Sequence, residues 1–228
     1  MKIGVISDIH ANAPALRVVL DGLADRDVDQ TLCAGDVVGY YPFPNEVISL
    51  LAEHDVRSIV GNHDAAVLDE TPSGFSIDAK RAADWTRRQL TPESNAFLES
   101  LPMTIEETID GREVYVVHGS PEDPLNEYIW GDEVDERALD YWFDNRPDLV
   151  IFGHTHRPFV KEIGSTTVLN PGSVGQPRDR NPRSAFAVVD LKSLSVDRYR
   201  VDYDIEAVAD ETGKYLPRKL GDRLYEGR

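Results

Sequence analysis

Cysteine, lysine and long apolar runs are what this sequence has least of. Its one cysteine, Cys33, cannot close an internal disulfide and lends no support to secretion. No apolar run approaches the length of a membrane span. The opening stretch MKIGVISDIH reaches the charged Asp8 after one short apolar run, too soon for a signal peptide. The expectation is a cytoplasmic protein with no membrane partner. Basic residues are outnumbered, 24 against 41 acidic ones, for a net charge of −17, and Arg supplies most of the 24. A surface so negative repels nucleic-acid backbones and anionic lipid, so a duplex nucleic acid is not expected as a partner. Acid excess with little Lys also suits a halophilic protein, because concentrated salt screens the mutual repulsion of its carboxylates. An ordinary acidic enzyme shares that composition. Repeats, low-complexity tracts and linkers are absent too, and 41% hydrophobic residues can bury one substantial core. Residues 1–228 are therefore read as a single domain.

What the sequence does contain is a series of apolar runs ending in Gly, Asp or His. KIGVIS leads to Asp8 and His10, and TLCA leads to Gly35 and Asp36. RSIV leads to Gly61, Asn62, His63 and Asp64; EVYVV leads to His118 and Gly119; LVIF leads to Gly153, His154 and His156. Each run has strand length and is rich in β-branched residues. Between the early runs, APALRVVLDGLAD and PNEVISLLAEH carry helical spacing, with Pro14 and Pro44 suited to a first turn. Strand, helix, strand is α/β order, with ligands expected outside the carboxyl ends of the strands. After about Gly164, STTVLN, SAFAVVDL and SVDRYRV read as consecutive hairpin-linked strands closing a second sheet, with Asn170 to Arg183 a long loop among them. The tail after Tyr203 is expected to form a helix with a fraying end.

Chemistry collects at those strand ends. Asp8, His10, Asp36, Asn62, His63, His118, His154 and His156 take in five of the six histidines, leaving only His54 in a helical stretch. Polar residues that merely cap strands would not gather imidazoles in this way. All eight side chains offer O or N and none is a thiolate, which favours hard or borderline divalent ions. Seven plausible ligands are too many for one ion, so two metals are expected. In such sites a carboxylate bridges ions ~3.5–4 Å apart, and the pair clamps the attacking and leaving oxygens of a phosphoryl group.

In this order the motifs resemble the calcineurin-like metallophosphoesterase superfamily. The series is Asp8-x-His10, Gly35-Asp36, Gly61-Asn62-His63-Asp64, His118-Gly119 and Gly153-His154-Thr155-His156. One Asp-x-His carries little weight; five blocks in order, each at a strand end, carry much. The likeness runs from residue 3 to about residue 179, and the NPGSVGQPRD loop narrows it to the small, single-domain prokaryotic phosphodiesterases. The resemblance implies an α/β fold, a four-layer α-β-β-α sandwich of two mixed sheets flanked by helices. It implies that Asp8, His10 and His156 hold one divalent ion, Asn62, His118 and His154 a second, and that Asp36 bridges them. A metal-bound hydroxide would attack phosphorus in line, with His63 stabilising the transition-state oxygens or protonating the leaving oxygen. Manganese is favoured, with iron, cobalt, nickel and zinc as alternatives. The second block continues as GDVVGYY, so Gly39 stands where the phosphoprotein-phosphatase branch carries the acid that orients this histidine. That departure argues against phosphoprotein substrates.

The expected activity is hydrolysis of phosphodiesters in small nucleotide-like substrates. A phosphomonoesterase or nucleotide pyrophosphatase would use the same site, whereas a non-catalytic interaction scaffold would have shed the ligands that this chain keeps. Tyr40, after the bridging position, and Arg157, after His156, are candidates for substrate contact, and Tyr41 shares the reading of Tyr40. Asp64 is read as a helix cap, and Asn170 and Ser173 as hydrogen-bond partners of the ligand histidines. Cys33 is read as a core residue and His54 as surface. Oligomeric state is not fixed, and a homo-oligomer stays open.

Overall fold

The computed structural model describes residues 1–69 and 72–228. Three of the apolar runs form parallel strands β1 (Lys2–Ile6), β2 (Gln30–Cys33) and β3 (Arg57–Ser58), joined through helices α1 (Ala13–Ala24) and α2 (Pro44–Glu53). Both helices start as their sequences dictate. Asn12 caps α1, its Oδ1 accepting from the Ala15 N–H at 3.2 Å, and Pro14 sits in the first turn. Leu16, Val19, Leu20 and Leu23 then pack in one cluster with Ile6 and Phe186. Truncating a side chain such as Leu16 to Ala should cost about 2–5 kcal/mol.

Three helices follow, α3 (Asn62–Leu68), α4 (Ile77–Gln89) and α5 (Pro92–Ser100). A second sheet is built from β4 (Thr104–Ile109), β5 (Arg112–Val117), β6 (Leu149–Phe152), β7 (Phe159–Ile163) and β8 (Thr166–Asn170), with α6 (Glu136–Trp142) between β5 and β6. Its order is β4-β5-β6-β8-β7, with β5, β6 and β8 parallel and both edge strands antiparallel. The chain then returns to the first sheet as the hairpin β9 (Ser184–Asp190) and β10 (Ser195–Val201), completing the order β10-β9-β1-β2-β3.

This corrects the expectation that STTVLN, SAFAVVDL and SVDRYRV close one sheet in succession. Only the first enters the second sheet. The residues of SAFAVVD are buried along nearly the whole strand, which suits a place beside β1 in a sheet covered on both faces, while the half-exposed SVDRYRV takes the edge.

The sheets face each other across one apolar layer, in which Ile3, Val5, Leu32 and Ile59 meet Ile105, Val114, Val116, Ile151 and Leu169. Helices α1 to α5 contribute to the cluster on the outer side of the first sheet. On the outer side of the second, Leu139 of α6 packs with Val117, Val150 and Phe152. Two mixed sheets flanked by helices are thus present, as the motif resemblance implied. The tail does not fray. Helices α7 (Ile205–Tyr215) and α8 (Arg218–Asp222) and a 3₁₀ turn at Arg223–Glu226 bury Val208, Leu220 and Leu224 against Tyr40 and Tyr41. Among the described residues no helix is long and apolar enough to cross a membrane.

Candidate metal centre

Six parallel strands from two sheets end at one place, and there the backbone turns sharply. Asp8, His10, Asp36, His154 and His156 all have positive φ, between 51° and 65°. Left-handed backbone costs of order 1–3 kcal/mol at a residue with a side chain, though Asp and His tolerate it better than most. Hydrogen bonds between neighbouring loops hold the turns. The N–H groups of Asp8 and His10 donate to the carbonyls of Gly35 and Asp36 at 3.0 and 2.9 Å, and Gly175 N–H donates to the Asp8 carbonyl at 3.0 Å. Gly61 has no room for a side chain, because a Cβ there would lie 2.2 Å from the Asp36 carboxylate.

The result is two groups of donors sharing one carboxylate. Ligand atoms of Asp8, His10, Asp36 and His156 lie within 4.8 Å of one another, as do those of Asp36, His118 and His154, all buried. Asp36 is oriented for sharing. Its Oδ1 accepts from the His63 N–H at 2.8 Å, while its Oδ2 lies 3.5 Å from Nε2 of both His10 and His118. Asn62 joins the second group, with Oδ1 3.1 Å from His118 Nε2.

Backbone carbonyls determine which ring nitrogen faces the cluster. A carbonyl only accepts, so a ring nitrogen bonded to it must carry the hydrogen. His118 Nδ1 meets the Ala34 carbonyl at 2.8 Å, His154 Nε2 that of Asn126 at 3.1 Å, and His156 Nδ1 that of Gln176 at 2.5 Å. Burial keeps His154 neutral, lowering it to about 4, and holds His10, His118 and His156 well below the usual imidazole range. Neutral His118 and His154 then direct bare lone pairs at each other, Nε2 to Nδ1, across 3.1 Å. Two acceptors facing each other beside a carboxylate repel unless a cation lies between them. Asp8 Oδ2 is likewise buried without a hydrogen-bond partner. Burial pushes the Asp8 carboxyl up to about 7 and that of Asp36 well above the carboxylate range, with repulsion from Asp64 and Asp8 adding to the latter. The donor set fits bound divalent cations.

His63 stands beside this cluster. Its ring packs against those of His10, Tyr40 and Phe75, with centroids 4.8, 4.5 and 4.7 Å away. Its Nδ1 is buried and unpartnered, and a Cβ on Gly39, where φ is +139°, would lie 2.9 Å from it. The missing orienting acid noted in GDVVGYY is therefore a physical gap filled by backbone. Tyr40 walls the site, its ring 4.8 Å from that of His10. Arg157 is exposed and lies over the Trp130 ring, 5.2 Å from its centroid.

Asp64 does more than cap α3: its carboxylate accepts from the N–H groups of Gly61, Val37 and Val38, tying together the loops after β2 and β3. Asn170 and Ser173 bond backbone and a hydroxyl rather than the histidines. Asn170 donates to the Gly153 carbonyl and to Thr155 Oγ1, and Ser173 to the Asp8 carbonyl at 2.7 Å. Their short side chains reach the turns that carry the clustered Asp and His residues, not the rings. Cys33 is buried and His54 exposed.

Sequence reading missed four contributors. Tyr128 stacks on His154 at 4.0 Å between centroids and Trp130 stacks on Tyr128 at 5.9 Å, forming an aromatic ledge at the site. The carbonyl of Gln176 orients His156, and the positive charge of Arg178 acts on Asp8, Asp36 and the cluster histidines. Gln176 and Arg178 both lie inside the NPGSVGQPRD loop, the one sequence signal that pointed toward them.

The model of the calcineurin-like phosphoesterase superfamily domain matches residues 1–194. The chain belongs to that superfamily. It is 38% identical to the uncharacterized protein MJ0912 of Methanocaldococcus jannaschii, over 99% of this chain and 98% of that one. It is 29% identical to phosphodiesterase YfcE of Escherichia coli, over 86% of this chain and 91% of the relative. Among solved structures, a metallophosphoesterase from Sphaerobacter thermophilus superposes with a TM-score of 0.83 at 35% identity, with full coverage of both chains. This phosphoesterase is thus a metal-dependent hydrolase, and the buried Asp and His cluster is its candidate metal site.

Proposed function

We propose that residues 1–228 act as one domain that hydrolyses phosphodiesters of small nucleotide-like substrates with two divalent ions. The observation that carries this reading is Asp36 Oδ2, equidistant at 3.5 Å from a histidine of each donor group. Asp8, His10 and His156 would hold one ion, Asn62, His118 and His154 the other, with Asp36 shared. Ions bound there supply Lewis-acid charge to the phosphoryl oxygens and to the water nucleophile. Manganese suits the four imidazole nitrogens and the oxygens best, with iron, cobalt, nickel or zinc able to replace it.

The protein's own residues do the rest. The carbonyls of Ala34, Asn126 and Gln176 keep three rings aimed inward, so no reorganisation is needed when substrate arrives. His63, kept neutral by burial in its aromatic cage, would donate a hydrogen bond to the phosphoryl oxygens; to protonate the leaving oxygen it would first have to take up a proton itself. Tyr40 and Phe75 exclude water from its ring. The ledge of Tyr128 and Trp130 gives the site an open aromatic face on which a base can stack, which favours nucleotide-like esters. With no acid beside His63 Nδ1, the phosphoprotein-phosphatase arrangement is not reproduced.

The test is hydrolysis of bis(p-nitrophenyl) phosphate against p-nitrophenyl phosphate by protein loaded with Mn²⁺. Faster turnover of the diester supports the reading. Preference for the monoester would replace it with a phosphomonoesterase, and inactivity on both with metal bound would point to a scaffold.

A further inference from the structure

In a chain with a net charge of −17, one cleft gathers four arginines. Arg157, Arg178, Arg180 and Arg228 line a space of about 670 Å³ together with Asp179. Asp179, the acidic side chain in that lining, forms an ion pair with Arg200, and Arg228 pairs with Glu226 at 2.8 Å. Among the described residues, no ion pair involves Arg157, Arg178 or Arg180. Like charges repel, and carboxylates are abundant in this chain. Three guanidinium groups without a direct ion-pair partner in one cleft are the arrangement of an anion site.

Arg178 is fixed there by a neutral partner. Its Nε and Nη2 donate to Gln176 Oε1 at 3.2 and 2.9 Å. Gln176 is fully buried, and its Nε2 donates to the Tyr41 hydroxyl at 3.0 Å. An amide oxygen aims the guanidinium without cancelling its charge, and leaves Nη1 free to donate. Arg157 donates through Nε to the Arg178 carbonyl at 3.1 Å and packs over Trp130, so it too is placed by neutral groups. The cleft adjoins the metal cluster: Arg157 follows His156 in the chain, and Gln176 holds both His156 and Arg178.

We infer that this cleft binds a second phosphate of the substrate, beyond the phosphoryl group at the metal cluster. Calling the ligand a substrate rests on the proposed phosphodiesterase reading; the anion site itself does not. Arginine suits the task because its planar fork matches two phosphate oxygens at once. The class of ligand is a small, doubly phosphorylated nucleotide-like ester. A long polyanion is disfavoured, because the rest of the surface repels it.

The experiment is calorimetric titration of the metal-loaded protein with thymidine 5′-monophosphate, thymidine 5′-diphosphate and thymidine 3′,5′-bisphosphate. At least one doubly phosphorylated nucleotide should bind roughly tenfold or more tightly than the monophosphate. That advantage should collapse in Arg178→Ala and in an Arg157→Gln, Arg180→Gln double variant, whose positions are exposed and leave the fold intact. It should also shrink as KCl rises toward molar concentration. Equal binding of all three nucleotides, or an advantage that survives both variants, overturns the inference. Affinity is read without turnover, so failure of the diesterase assay and failure of this site are separate results.

Discussion

The two donor groups that meet at Asp36 are built on different principles. In the group of Asp8, His10 and His156, two carboxylates (counting Asp36) face two imidazoles, of which only His156 is held from behind by a carbonyl, that of Gln176, while His10 Nδ1 has no hydrogen-bond partner. In the group of Asn62, His118 and His154, the shared carboxylate faces a neutral amide and two rings, each pinned from behind by a carbonyl. The first group supplies charge and the second supplies direction. A dication at close range gains far more from an additional carboxylate than from a neutral donor. The Asp8 group should therefore hold its ion more tightly, and the nitrogen-rich group should be the more selective for borderline metals.

Removing the carboxylate proposed to be shared should have the largest effect. Asp36→Asn should lose both ions by elemental analysis and reduce diester turnover by on the order of 10³-fold or more. One ion retained at full occupancy would mean that Asp36 is not shared. Next comes His63→Ala, expected to slow turnover roughly 10²–10⁴-fold at unchanged metal content. If that variant also loses its ions, His63 belongs among the ligands and the division of labour fails.

Smaller effects sharpen the contrast between the groups. Asp8→Asn should empty one site, while Asn62→Ala should weaken the other about 10–100-fold, as seen in metal titrations of the two variants side by side. Indistinguishable titrations would erase the distinction between charge and direction. Protons compete with metal for the first group: its Asp8 carboxyl, pushed up to about 7 by burial, is ionised above that pH and protonated below it. Mn²⁺ affinity of the metal-free protein should hence fall as pH drops through about 7, by up to tenfold per unit for each proton displaced. An affinity that rises or stays flat on acidification contradicts this.

The smallest effect concerns the surface. With 41 acidic against 24 basic residues, self-repulsion should ease as the Debye length shrinks to ~3 Å at 1 M salt. The thermal midpoint of metal-saturated protein should climb by a few degrees between dilute and molar KCl. A flat or falling midpoint removes the halophilic reading.

Much of this protein was determined locally. Strands that end in Asp and His, a capped α1 with Pro14 in its first turn, and five motif blocks in order could all be read from short windows. Hydrophobic period, capping chemistry and turn preference act over a few residues. Tertiary structure alone decided that β9 and β10 return to β1, a pairing across more than 180 residues that no local pattern encodes. It also decided that Leu220 and Leu224 seal the tail against Tyr40 and Tyr41. The same holds for the chemistry. The sequence names His118, His154 and His156 but cannot say which nitrogen faces inward, because Ala34, Asn126 and Gln176 act through backbone carbonyls that every residue possesses. Which carbonyl comes within reach of which ring depends on how two sheets stack, and that is a property of the assembled fold.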